Sequence, residues 1–246
     1  MMTTLGVEQA RRLIEQYGAA TQALRQRVGA DEVHAYRIAA RRLLALLALW
    51  RPLIHAPELE SRLSRAVGRL SALRDAQVYA AHFGGPSHQE QVPTRVPGLA
   101  GRLARWLARL EEVPAGVDPL PLFQLHLALS LADALAAPGL SSSDGRKARL
   151  RHWHRLRLVL KQIRYGVELL IGQGEGDPAW LPMLVEWQDR LGQLQDTRQW
   201  LRRLGDQKGR GKRRRTLEEA MRCQLRQLDC QQAELVGLRM ALLRQG

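Results

Sequence analysis

The chain has 246 residues, with 38 lysines and arginines against 24 aspartates and glutamates, a formal net charge of +14. This balance favours a polyanionic partner: nucleic acid, an anionic membrane or another polyphosphate. Aromatic residues make up 5% of the chain and leucine and alanine are abundant, which favours helices over a sheet.

Two cysteines and the hydropathy pattern narrow the class of protein further. Cys223 and Cys230 share one predicted helix at about 10 Å from each other, too far apart for a disulfide. The apolar segment Leu43 to Trp50 is too short to span a bilayer, and no signal peptide is evident. We therefore predict a cytoplasmic protein without membrane insertion.

Apolar residues recur with helical period along most of the chain, and clusters of glycine, proline or serine interrupt them. Asp31 is placed to cap the helix that carries His34. The segment Lys208 to Arg215 (KGRGKRRR) is interpreted as a basic loop, and Pro114 to Pro121 as a linker. No strand pattern appears. The predicted helices cover 5–28, 33–50, 58–83, 99–112, 122–137, a long segment after Asp144 that ends near Leu170, 179–204 and 216–244.

Two helical segments, Val33 to Trp50 and Trp153 to Leu170, look like copies of one unit. Each places a histidine and cations on one arc and leucines on the opposite arc. In the first copy the arginines have no carboxylate among their helix neighbours, so a polyanionic ligand explains the crowding better than a solvated face does. The basic arcs contain His34, Arg37, Arg41 and Arg42 in the first copy, and His154, Arg157, Lys161 and Arg164 in the second.

A second matched pair supports an internal duplication. Leu70 to Asp75 (LSALRD) aligns with Leu191 to Asp196 (LGQLQD), at nearly the same offset as the two histidines, and Arg69 and Arg190 precede them. Asp75 and Asp196 either orient arginines of the basic helices or are ordinary surface acids. We expect a single domain over 1–246 with a repeat of about 5–113 and 122–244: eight helices in two similar antiparallel bundles related by a pseudo-twofold axis.

These blocks resemble the CHAD (conserved histidine α-helical domain) family over about residues 7–240. The motifs are V-H-x-x-R with R-R-L, L-x-x-L-R-D, H-x-L-R-x-x-x-K-x-x-R-Y and L-G-x-L-x-D. The resemblance implies an all-α fold with two bundles facing across a basic groove, binding of inorganic polyphosphate, association with polyphosphate granules, and neither catalysis nor a cofactor. Ser71 stands where the family usually has glycine and Gln195 where it often has asparagine, and we expect neither to touch the basic arcs.

The function expected from these observations is non-catalytic polyphosphate binding. Near a polyanion the pKa of a histidine should rise, so protonation would add charge as the pH falls. The alternatives are non-specific nucleic-acid binding through the basic loop, and phosphoryl transfer, for which no GxxxxGK[ST] loop is present. A membrane-surface role has little support. The predicted ligand-binding residues are His34, Arg37, Arg41, Arg42, Arg69, His154, Arg157, Lys161, Arg164 and Arg190, with Asp75 and Asp196 as orienting residues.

Overall fold

The computed structural model describes residues 2–83, 98–114, 116–137, 145–204 and 211–244. These residues form helices and contain no strand, so the predicted all-α fold is confirmed. The helices within them are α1 (Met2–Gln26), α2 (Ala30–Trp50), α3 (Pro57–Arg69), α4 (Ser71–Phe83), α5 (Ala100–Glu111), α6 (Leu120–Ala136), α7 (Arg146–Gly172), α8 (Trp180–Leu204), α9 (Gly211–Gln231) and α10 (Ala233–Arg244).

The chain divides into two compact units. Unit 1 contains Met1–Phe123 and Leu169–Glu175, and unit 2 contains Gln124–Glu168 and Gly176–Gly246. The predicted repeat boundaries and the pseudo-twofold axis stay predictions, and each unit is described by itself below.

Unit 1 is built around α2, whose inner face is fully buried. Tyr36, Leu43 and Leu46 each have essentially no exposed surface, and their spacing of three and seven residues puts them on one side of the helix. Tyr36 also reaches α1, where its hydroxyl lies 3.0 Å from that of Tyr17 in a hydrogen bond. With its apolar arc fixed in the core, α2 must present its other arc, which carries His34, outside the core.

Two tryptophans organise unit 2. The rings of Trp153 on α7 and Trp187 on α8 stack with centroids 6.1 Å apart. Their indole N–H groups donate outward from the core, to Asp229 at 3.3 Å and to Glu234 at 3.0 Å. Because a buried indole donor is costly without an acceptor, these carboxylates tie α9 and α10 to the two tryptophan helices.

The single helix predicted for 58–83 is wrong, because the chain breaks at Leu70, between α3 and α4. At the break, the carbonyl of Val67 accepts side-chain hydrogen bonds from Arg37 at 2.9 Å and from the Ser71 hydroxyl at 3.3 Å. A serine hydroxyl competes with the backbone for such a carbonyl. The aligned position in α8 is Gly192, which has no side-chain donor, and α8 continues without a break.

The C-terminal helices also differ from the prediction. Gly211 to Arg215 begins α9 instead of ending a basic loop, and 208–210 lie outside the described residues. Lysine and arginine are good helix formers, and Arg214 pairs with Glu218 one turn later at 3.1 Å. The predicted helix 216–244 is interrupted at Gln232. There the backbone N–H of Leu235 donates to the Gln232 carbonyl, three residues earlier, as in a 3₁₀ turn. Eight helices were therefore too few.

At other boundaries the differences are smaller. The N-cap of α2 is Gly29, which has no side chain to make a capping bond, so the prediction that Asp31 caps this helix is wrong. Asp31 lies in the first turn instead, where a carboxylate stabilises the positive end of the helix. The predicted linker from Pro114 ends at Pro119, since α6 already includes Leu120 and Pro121. Residues 84–97 and 138–144, which lie between predicted helices, are outside the described residues.

Candidate functional site

In unit 1, three arginines from two helices surround one histidine; we call His34, Arg37, Arg41 and Arg74 the His34 cluster. His34 is exposed on α2, and the three arginines are half-buried. Although His34 is exposed, partial desolvation by neighbouring side chains lowers its pKa most; the charges of Arg74, Arg37 and Arg41 lower it further, and the charge of Asp31 raises it. Arg37, Arg41 and Arg74 therefore surround this side chain with positive charge.

Arg37 has a structural task inside this cluster. One terminal nitrogen of its guanidinium donates to the Val67 carbonyl and to the Ser71 hydroxyl, each at 2.9 Å. The side chain thus ties α2 to the break between α3 and α4, and it orients α4, which carries Arg74. A ligand-binding role for Arg37 stays a prediction, and part of its donor capacity is used within unit 1.

In unit 2, three cations again surround one histidine; His154, Arg157, Lys161 and Arg198 form the His154 cluster. All four are half-buried, three on α7 and Arg198 on α8. Burial lowers the pKa of His154 most, followed by the charges of Arg198, Arg157 and Lys161, while a hydrogen bond with the Gln195 side chain raises it. Burial and the nearby Arg202 also lower the pKa of Arg198.

Two predicted ligand-binding arginines of unit 2 are engaged with carboxylates. Arg190 pairs with Glu186 and with Glu234, the latter at 3.3 Å, and lies over the ring of Trp187. Arg164 pairs with Glu168 at 3.6 Å and lies 4.7 Å from the ring centroid of Tyr165. These carboxylates neutralise part of the positive charge that was predicted to bind the ligand.

The remaining predicted residues are not part of either cluster. Arg42 is half-buried on α2, and Arg69 is exposed at the end of α3. Asp75 and Asp196 are half-buried on α4 and α8, directly after Arg74 and Gln195. Their role in orienting arginines stays a prediction.

Sequence reasoning missed Arg74 and Arg198. A longer alignment of the second motif contains a signal for both, because LSALRDAQ (70–77) pairs with LGQLQDTR (191–198). In the first copy arginine stands directly before the aspartate and glutamine two residues after it. In the second copy the glutamine comes before the aspartate and the arginine two residues after it. Positions three residues apart share a helix face, so each copy offers one arginine on the same face of its helix.

The expectation that Ser71 and Gln195 stay away from the basic arcs is wrong. Ser71 accepts a hydrogen bond from Arg37, and Gln195 hydrogen-bonds with His154. Both departures from the family pattern therefore contact the basic arcs directly.

Within the described ranges, no group of three or more histidines, cysteines, aspartates or glutamates is arranged to hold a metal ion. Among the helices described, none combines the length and hydrophobicity required to cross a bilayer.

Comparison with known proteins identifies the family. The CHAD domain model matches residues 8–144 and 119–205, so the chain belongs to the CHAD family. The crystal structure of the CHAD domain from the plant Ricinus communis matches with a TM-score of 0.61 and 18% identity, over 99% of this chain and 92% of that chain. At this identity the likeness shows the fold. The comparison with curated proteins gives no significant match.

Proposed function

We propose that this protein binds inorganic polyphosphate without catalysis, through the His34 cluster and the His154 cluster. The observation that carries the proposal is that each unit gathers three cations around one histidine at a contact between two helices. Membership of the CHAD family supports the choice of ligand, because polyphosphate binding is what resemblance to that family implies. Localisation to polyphosphate granules in the cytoplasm follows as part of the same proposal.

The chemistry of the clusters suits a linear polyphosphate. Such a chain carries about one negative charge per phosphate and has no base edges, so a protein can recognise it only by charge and donor geometry. Arginine offers planar pairs of N–H donors that match phosphate oxygens. Two helix faces with cations about one turn apart present these donors in a row.

The test is a titration with long-chain polyphosphate at about 0.15 M salt, near physiological ionic strength. Arg41→Ala/Arg74→Ala and Arg157→Ala/Lys161→Ala each remove two charges from one cluster and leave the anchoring residue Arg37 intact. Each pair should weaken binding by roughly tenfold or more, since a charged hydrogen bond contributes about 1.5–3 kcal/mol.

Matched controls remove the same charge elsewhere in each unit. Arg105→Ala/Arg109→Ala changes exposed positions of α5 in unit 1, and Arg151→Ala/Arg155→Ala changes exposed positions of α7 itself. If the control pairs weaken binding as much as the cluster pairs do, net charge rather than the clusters determines affinity, and the proposal fails.

Non-specific nucleic-acid binding is the second candidate, and the exposed cations Lys212 to Arg215 in the first turn of α9 favour it. Duplex DNA at equal charge concentration serves as competitor. A polyphosphate protein should keep its ligand under this competition, whereas a general polyanion binder should exchange it for DNA.

A further inference from the structure

The exchange of arginine and glutamine between the two copies gives the two motif histidines different neighbours. In LSALRDAQ the residue before the aspartate is Arg74, and in LGQLQDTR it is Gln195. Arg74 is the cation whose charge acts most strongly on His34, while Gln195 hydrogen-bonds with His154. Aligned positions of α4 and α8 thus offer a charge to one histidine and a hydrogen-bond partner to the other.

His34 is an exposed side chain among charges. Arg74 faces it from α4, and Arg37, Arg41 and the opposing Asp31 act on it from α2. An exposed imidazole in this position can contact a ligand that lies over the three arginines. In the free protein, those arginines disfavour a further positive charge on the ring.

His154 is held from both sides. Gln195 and Arg198 face it from α8, and Arg157 and Lys161 from α7. Its Nδ1 atom is buried and has no hydrogen-bond partner among the described residues. Protonation of Nδ1 would create a buried donor without an acceptor, which is unfavourable.

We propose that the two motif histidines have different roles. His34 takes up a proton when polyphosphate binds and then donates a hydrogen bond to it. His154 stays neutral and is a positioning residue that holds Gln195 and α8 against α7. This inference rests on the proposed function. The proton comes from the solvent, and no covalent bond other than the new N–H forms. Phosphate charges next to Arg37, Arg41 and Arg74 offset their repulsion of an imidazolium, so the bound state favours the protonated ring.

The test measures proton uptake by calorimetric titration of the full chain with long-chain polyphosphate, in buffers of different ionisation enthalpy at about pH 7. Wild type should take up a proton fraction approaching about one per bound His34 cluster. His34→Gln should bind without proton uptake. His154→Gln should retain the uptake, with weaker binding and lower thermal stability.

Gln195→Leu is the second variant, since it keeps both histidines and removes only the proposed positioning contact. It should retain the proton uptake of wild type and lose thermal stability as His154→Gln does. This arm does not depend on how well His154→Gln folds.

The outcomes separate the inference from the proposed function. Binding without proton uptake by wild type, uptake that persists in His34→Gln, or uptake that disappears in His154→Gln or in Gln195→Leu would each overturn the inference while polyphosphate binding stands. Absence of any binding heat and of any shift in unfolding temperature with polyphosphate would overturn the proposed function, and the inference with it.

Discussion

Arg37 connects the basic face of α2 to the fold of unit 1. Its guanidinium satisfies the Val67 carbonyl at the end of α3 and contacts Ser71 at the start of α4. A charged donor on a helix C-terminal carbonyl is favourable both as a hydrogen bond and through the helix dipole. The residue therefore contributes to stability whether or not a ligand is bound.

Arg37→Ala should lower the free energy of unfolding by roughly 1.5–3 kcal/mol, because it removes hydrogen bonds from a charged donor in a half-buried place. Chemical denaturation followed by circular dichroism measures this change. Arg105→Ala, at an exposed position of α5, is the control and should stay within about 0.5 kcal/mol of wild type. Equal stability of the two variants would show that the Val67 contact is unimportant.

The ligand-free protein should lose stability as the solution becomes acidic. The folded-state pKa values of His34 and His154 lie below the ordinary 6.5, first because of burial and then because of neighbouring cations. Below about pH 6.5 the unfolded chain binds more protons than the folded chain, so stability falls as the pH decreases through the folded pKa values.

Thermal unfolding between about pH 7.5 and pH 5.5 measures this dependence. The double variant His34→Gln/His154→Gln should show a smaller decrease in the unfolding temperature than wild type. An identical pH dependence in both proteins would mean that other groups cause it.

The sequence predicts the part of each cluster that lies on a single helix. Helical period places His34 and Arg41 on one arc, because that relation depends only on spacing along one helix. The approach of Arg74 to His34, and of Glu234 to Arg190, joins different helices. Such contacts depend on packing, which the spacing of residues within one helix does not specify.

Among the elements, α9 is connected to α7 by polar contacts of one carboxylate, Asp229. Asp229 pairs with Arg149 and accepts the indole N–H of the buried Trp153. Loss of this acceptor leaves a buried donor unsatisfied, in addition to a broken ion pair.

Asp229→Ala should therefore destabilise the protein by roughly 1–3 kcal/mol, the cost of an unsatisfied buried donor. Denaturant unfolding followed by tryptophan fluorescence measures the change. Asp133→Ala, at an exposed position of α6, removes a carboxylate without such contacts among the described residues and should be close to neutral. A neutral Asp229→Ala would show that α9 is attached by its apolar face alone.

The sequence predicts where most helices lie and misplaces their interruptions. Leucine periodicity is continuous across Leu70 and across Gln232, so hydrophobic pattern alone predicts one helix in each case. Next to this break the Val67 carbonyl accepts a hydrogen bond from Arg37, thirty residues before Val67 in the chain, and a local pattern cannot contain that information. The start of α9 is not predicted because a dense run of lysine and arginine is typical of a solvated loop.

For the whole molecule, the all-α fold follows from composition and helical period, and the four motif blocks indicate the CHAD family. The division into units does not follow the chain in the same way. Leu169–Glu175 belongs to unit 1, where the carbonyl of Leu169 accepts from Gln9 at 3.3 Å and Gln173 donates to Gln9 at 2.6 Å. These glutamine contacts join residues far apart in the chain, so no periodic pattern in the sequence predicts them.

If the two clusters bind polyphosphate, rather than the net charge of +14, loss of cluster cations will change the salt dependence of binding more than loss of other cations. The most direct measurement is the polyphosphate binding constant as a function of salt concentration for wild type, for Arg41→Ala/Arg74→Ala and for Arg105→Ala/Arg109→Ala. Removal of one cation that binds a phosphate should reduce the slope of log K against log salt by about 0.7, as for a single-stranded polyanion.

We expect the cluster variant to bind more weakly, with a slope smaller by about 1.4 because two such cations are removed, and the control pair to keep the slope of wild type. Equal slopes and equal affinities for the two double variants would mean that diffuse positive charge, and not the His34 cluster, holds polyphosphate.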